Sequence, residues 1–139
     1  MEIADVRKRV VETIERAKRG AAEHRTRADE AGKAYDAFLD QTAVPMCRQI
    51  VNVLRAHGHA FNVFTPGGSV RLAPERGTDD YIELTLDTTG DEPVVVGHTR
   101  RSRGRRVVDS ERPVGDPATL NEEDVLAFVL KELEPFVDR

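Results

Sequence analysis

Five arginines occupy seven positions, Arg100-Arg101-Ser102-Arg103-Gly104-Arg105-Arg106, in a chain whose net charge is −4. A guanidinium presents a rigid fork of donors that matches carboxylate and phosphate oxygens. Charges this close repel, so the cluster needs counter-charges. Glu83, Asp87 and acids of the helices could supply them from within, and an anionic partner could supply them from outside. Between His98 and Arg112 six arginines face only Asp109 and Glu111, a net of +4, which leaves −8 on the remainder. A general nucleic-acid binder is basic throughout, whereas this chain is basic in one place. Residues 94 to 119 contain no Phe, Tyr or Trp, so this segment cannot stack on bases.

Other chemistry-bearing residues carry weaker signals. His57 and His59, with His98 as a third, could ligate a metal, but their spacing matches no metal motif, and His57 also suits a helix C-terminus. Cys47 is the lone cysteine and lies among Met46, Ile50 and Val51, the setting of a buried thiol rather than a nucleophile. Asp79 and Asp80 are adjacent, would point to opposite faces of a strand, and read as loop acids. Thr65-Pro66-Gly67-Gly68-Ser69 has the chemistry of a turn. A phosphate-cradling loop would lead into a helix, and here a strand is expected. No metal and no cofactor is expected, and no enzyme activity.

The elements that must hold these residues can be read from periodicity. Residues 2 to about 40 lack proline and carry a seam at Val10, Ile14, Ala17, Ala21, His24, Ala28, Ala31, Tyr35, Phe38 and Thr42, in alternating steps of four and three. Ile3 and Val6 extend the seam toward the start. Such a helix is roughly 58 Å long, longer than a domain of this size is wide, so its seam is expected to dimerise the chain through Val10 to Phe38. In a parallel pair His24 would face its own copy, and protonation would loosen the dimer below about pH 6.5.

Pro45 predicts a break or kink, followed by a short second helix from about Met46 to a stop at Gly58. Alternating residues then predict a four- to five-stranded antiparallel meander. Ile82, Leu84 and Leu86 point inward; Tyr81, Glu83 and Thr85 point outward. Residues 93 to 100 and 105 to 111 form a hairpin with Gly104 at its turn. Asn121 caps a C-terminal amphipathic helix whose first turn holds Glu122, Glu123 and Asp124. That helix is expected to cover the sheet.

The fold class is therefore α+β, with residues 1–42 as a helical extension and 43–139 as the α+β domain. The start of the chain has no apolar leader and no run reaches a membrane span, so a cytoplasmic protein without membrane contact is expected. The function expected is a non-enzymatic interaction module, homodimeric through its first helix. Arg100, Arg101, Arg103, Arg105 and Arg106 would meet an anionic partner, an acidic protein foremost. A nucleic-acid binder using the same hairpin is the alternative, and a small-ligand carrier or enzyme stands third.

Overall fold

The computed structural model describes residues 1–76 and 79–138. The chain opens with α1 (Ile3–Phe38), passes through a single π-turn (Leu39–Ala43) and continues as α2 (Val44–Ala56). Five strands follow, β1 (Phe61–Phe64), β2 (Val70–Pro74), β3 (Tyr81–Asp87), β4 (Val94–Arg103) and β5 (Arg106–Gly115). They form one antiparallel sheet in sequence order. The chain closes with α3 (Glu122–Leu133) and a 3-10 turn (Glu134–Phe136). The expected α+β architecture is thus the observed one, with all five strands present.

Alternation along the strands decides which face is covered. Val70 pairs with Leu84 and Leu84 with Gly97, while Leu72 pairs with Ile82 and Ile82 with Thr99. These rows meet Cys47, Ile50, Val51 and Leu54 of α2 and Val125, Phe128, Val129 and Leu133 of α3 in one buried cluster. Gly97 leaves room for the Phe128 ring: a Cβ there would stand 2.2 Å from it. Asn121 forms the expected N-cap in full, its side chain accepting from Asp124 N–H while the Asp124 carboxylate accepts from Asn121 N–H. Such a cap contributes about 1 kcal/mol.

Proline 45 does not end the helical run. It sits in the first turn of α2, where its missing N–H is not needed. The π-turn just before it carries Val44 N–H to the Leu39 carbonyl, one residue further back than in an α-helix. The seam shifts as a result. After Phe38 the buried residue is Ala43, not Thr42.

Two expectations about α1 need correction. Tyr35 and Phe38 do not face a dimer partner. They are buried in the chain's own core, and the Tyr35 hydroxyl donates to the Gly68 carbonyl at 2.7 Å. Their rings are large enough to enter the core beside the sheet. His24 does not await its own copy either: its Nε2 lies 3.1 Å from the Gly90 carbonyl, and Arg27 Nε donates to the Asp91 carbonyl. Ala28 and Ala31 are half-buried on the same side. The free part of α1 therefore ends near Glu23 rather than at 42, because the β3–β4 turn holds the helix there. Residues 1 to 23 are all exposed, an overhang of roughly 30 Å.

Candidate anionic-partner surface

The arginine cluster lies where the sheet is thinnest. Strand β3 begins at Tyr81, which pairs with Arg100. Beyond that point β4 and β5 pair only with each other, Arg101 with Val108, Ser102 with Val107 and Arg103 with Arg106. The hairpin thus protrudes past its neighbour strand. Gly104 turns it with φ +64° and no other residue of the turn has positive φ, the pattern of a type II′ turn. Paired residues share a face, so Arg101, Arg103 and Arg106 lie on the side of α3, and Arg100 lies on the opposite side. Arg105 stands in the turn itself.

The hairpin root is anchored by a residue that sequence reading placed in a loop. Asp80 is buried, and its carboxylate accepts the Ser102 N–H at 2.7 Å. No local pattern marks such an acid, since its partner is 22 residues away.

Counter-charges within the chain go elsewhere. Glu83 accepts from Arg71 Nε at 2.7 Å and from Ser69 Oγ. Both Thr89 N–H and Thr89 Oγ1 donate to the Asp87 carboxylate, which holds it below the usual carboxylate range. Glu132 accepts from Arg112 Nε and from Thr99 Oγ1, and Glu75 takes Arg55, whose hydrogen bond and charge lower its carboxyl. Among the described residues no ion pair includes Arg100, Arg101, Arg103, Arg105 or Arg106. The internal partners offered by the sequence, Glu83 and Asp87, are already engaged.

Two open hollows flank the hairpin root. One, of about 660 Å³, lies at the α3 side and is lined by His59, Arg76, Asp80, Arg101, Arg103 and Phe136, among others. The other, of about 610 Å³, lies on the opposite face and is lined by Phe64, Arg71, Asp79, Asp80, Tyr81 and Arg100, among others. In the second hollow the Arg71 guanidinium stacks 3.9 Å from the Tyr81 ring centre. The Nε of Arg100 is buried without a hydrogen-bond partner, which leaves a desolvated donor worth about 1–3 kcal/mol of unmet interaction.

A hydrogen-bonded chain crosses the same face. The Tyr81 hydroxyl lies 3.1 Å from His98 Nδ1, and His98 Nε2 lies 3.2 Å from Asp109. Sequence reading missed it because the partners are diagonal across three strands and depend on register. His98 is therefore committed to the sheet and does not join His57 and His59. Among the described residues no group of three His, Cys, Asp or Glu side chains converges on a common point. Cys47 is buried, and burial pushes its thiol up to about 12. At neutral pH it is a packed thiol, not a nucleophile.

Comparison with family models, with curated proteins and with solved structures finds no significant match for this chain. Among the described residues no helix is long and apolar enough to cross a membrane.

Proposed function

We propose that the protein is a non-enzymatic interaction module that holds an acidic protein segment against its β4–β5 hairpin. The observation that carries this reading is five neighbouring arginines without an ion pair among the described residues. A carboxylate-rich segment would relieve their mutual repulsion and take up their donors. Arg101 and Arg103, with Phe136 beside them in the hollow, would form its centre, and Arg105 and Arg106 its rim. The module acts as a homodimer through α1 in a cytoplasmic setting, which doubles the surface.

The test is binding of a polyglutamate peptide in fluorescence anisotropy. The Arg101→Ala/Arg103→Ala double variant should lose about tenfold or more in affinity, with the melting temperature unchanged. Peptide binding that ignores both substitutions would sink the reading. Tighter binding to duplex DNA or single-stranded RNA than to the peptide, with a steep salt slope, would favour the nucleic-acid alternative. The dimer is tested separately: Ile14→Asp should shift the light-scattering mass to that of a monomer.

A second reading has one observation in its favour, the unpartnered Arg100 Nε beside the Tyr81 hollow. It assigns that hollow a small anion. Absence of heat on titration with phosphate and with citrate would remove it.

A further inference from the structure

The overhang of α1 carries its own instruction about how two copies pair. Ile3, Val6, Val10, Val11 and Ile14 are branched apolar residues with 86%, 45%, 52%, 44% and 48% of their surface exposed. Among the described residues no other element covers them. Ala17, Ala21 and Gly20 complete the same stretch, and nothing stands within 4 Å of where a Cβ on Gly20 would be. An exposed helical glycine costs about 1 kcal/mol relative to alanine and gains nothing in a lone chain.

The direction of pairing follows from the lower half of the same seam. His24, Ala28, Ala31, Tyr35 and Phe38 face the chain's own β3–β4 turn and core. A parallel, in-register partner would run its own residues 24 to 38 along that seam, into space the first chain's body fills. An antiparallel partner does not. Its N-terminus points at the turn, and its body lies beyond the far end of the overhang.

Resting on the homodimer reading above, we propose that residues 3 to 21 of two copies pair antiparallel, with the two Val11 side chains facing each other beside the two-fold axis. In a heptad seam the antiparallel contacts join each a position to a d position of the partner. One register satisfies every seam residue of the overhang. Ile3 lies opposite Ala21, Val10 opposite Ile14, and Arg7 opposite Ala17. At the flanks Val6 lies opposite Gly20 and Thr13 opposite Thr13. Toward the ends of the overlap Ile3 and Val6 of one copy thus fill the space left by Ala21 and Gly20 of the other, and at its centre branched residues meet branched ones. That complementarity accounts for the order of the seam, large at its start and small in its middle. It also gives Gly20 a reason. The flanks bring no like charges together: Lys18 meets Ala4, and the Arg7 stem can cross Ala17 with its head in water. Sliding by one heptad either drives the partner's first turn into the β3–β4 turn or leaves Ala17 and Ala21 uncovered.

Single-cysteine variants test both direction and register by oxidation in the full chain. Cys47 is buried and takes no part. Ile3→Cys mixed with Ala21→Cys should form a covalent heterodimer at least tenfold faster than either variant links to itself, and Val11→Cys should link to itself. Rapid self-linking of Ile3→Cys in a protein of dimeric mass would overturn the antiparallel arrangement and leave the homodimer standing. A dimer in which Val11→Cys fails to self-link would overturn the register. A monomeric mass at millimolar protein would overturn both readings.

Discussion

The two halves of α1 share one seam and have different fates. From His24 to Phe38 the seam lies on the chain's own turn and core, and its last two members are aromatic and buried. From Ile3 to Ala21 the same seam is exposed, with no other described element of the chain against it. Periodicity reports that a face is built to be covered. It does not report what covers it. Residue size does discriminate here, since aromatic rings reach into a thick core while valine, isoleucine and alanine suit the close approach of a second helix.

The largest effect expected from this contrast is on folding. Phe38→Ala removes a buried ring and should cost about 3–5 kcal/mol in denaturant unfolding. Ile14→Asp, at an exposed site, should change the stability of the dilute monomer by no more than about 0.5 kcal/mol. Comparable losses at the two positions would erase the distinction between the halves.

A second effect belongs to the packed half and its neighbour α2. Burial raises the Tyr35 hydroxyl from 10.0 to about 12, with the charges of Glu83 and Asp36 adding to the shift. It raises the Cys47 thiol from 9.0 to about 12. Both groups hold their protons more tightly when folded. Their contribution is complete below pH 9 and declines as pH rises from 9 toward 12, because the unfolded chain ionises first. Denaturant midpoints should fall by a few kcal/mol equivalent across that window, and Cys47→Ala should flatten the fall. The overhang, whose seam carries no such group, should show no step there in amide exchange.

The smallest effect sharpens the overhang alone. Gly20→Ala should stabilise the helix of the monomer by about 1 kcal/mol, yet leave dimerisation unimproved or weaker because Val6 of the second copy needs that space. A gain in both would show that Gly20 faces only water.

Much of the fold could be read before any coordinates. Ile82 and Leu84 alternate inward as expected, Asn121 caps α3, and Gly104 turns the hairpin. These are local signals, settled within a few residues. The site was less legible. The arginines were visible, but whether Glu83 or Asp87 would neutralise them depended on strand register, which no short window encodes. Glu83 was expected outward. It does lie on the face opposite the core, yet it is buried, drawn in by Arg71 and Ser69. Asp80 read as a loop acid and proved to anchor the hairpin root. Partners 12 to 22 residues apart become predictable only once the pairing of β2, β3 and β4 is known.

The π-turn at Leu39–Ala43 sets how this chain tolerates changes of length. From Phe38 the buried positions step by five to Ala43 and then return to intervals of four and three through Cys47, Ile50 and Leu54. One residue is surplus to the α-helical count and the π-turn absorbs it, so α2 keeps its buried face in line with Phe38; an uninterrupted helix of the same sequence would turn α2 by about 100° off that face. Deleting any one residue between 39 and 43 would restore an ideal helix and improve its local hydrogen bonding. It would also keep Cys47, Ile50 and Leu54 facing the sheet, whereas deleting a second residue would turn them away by about 100°. In the overhang, by contrast, a whole heptad could be gained or lost with the body untouched. The same rod thus has one residue to spare at its packed end and whole heptads at its free end.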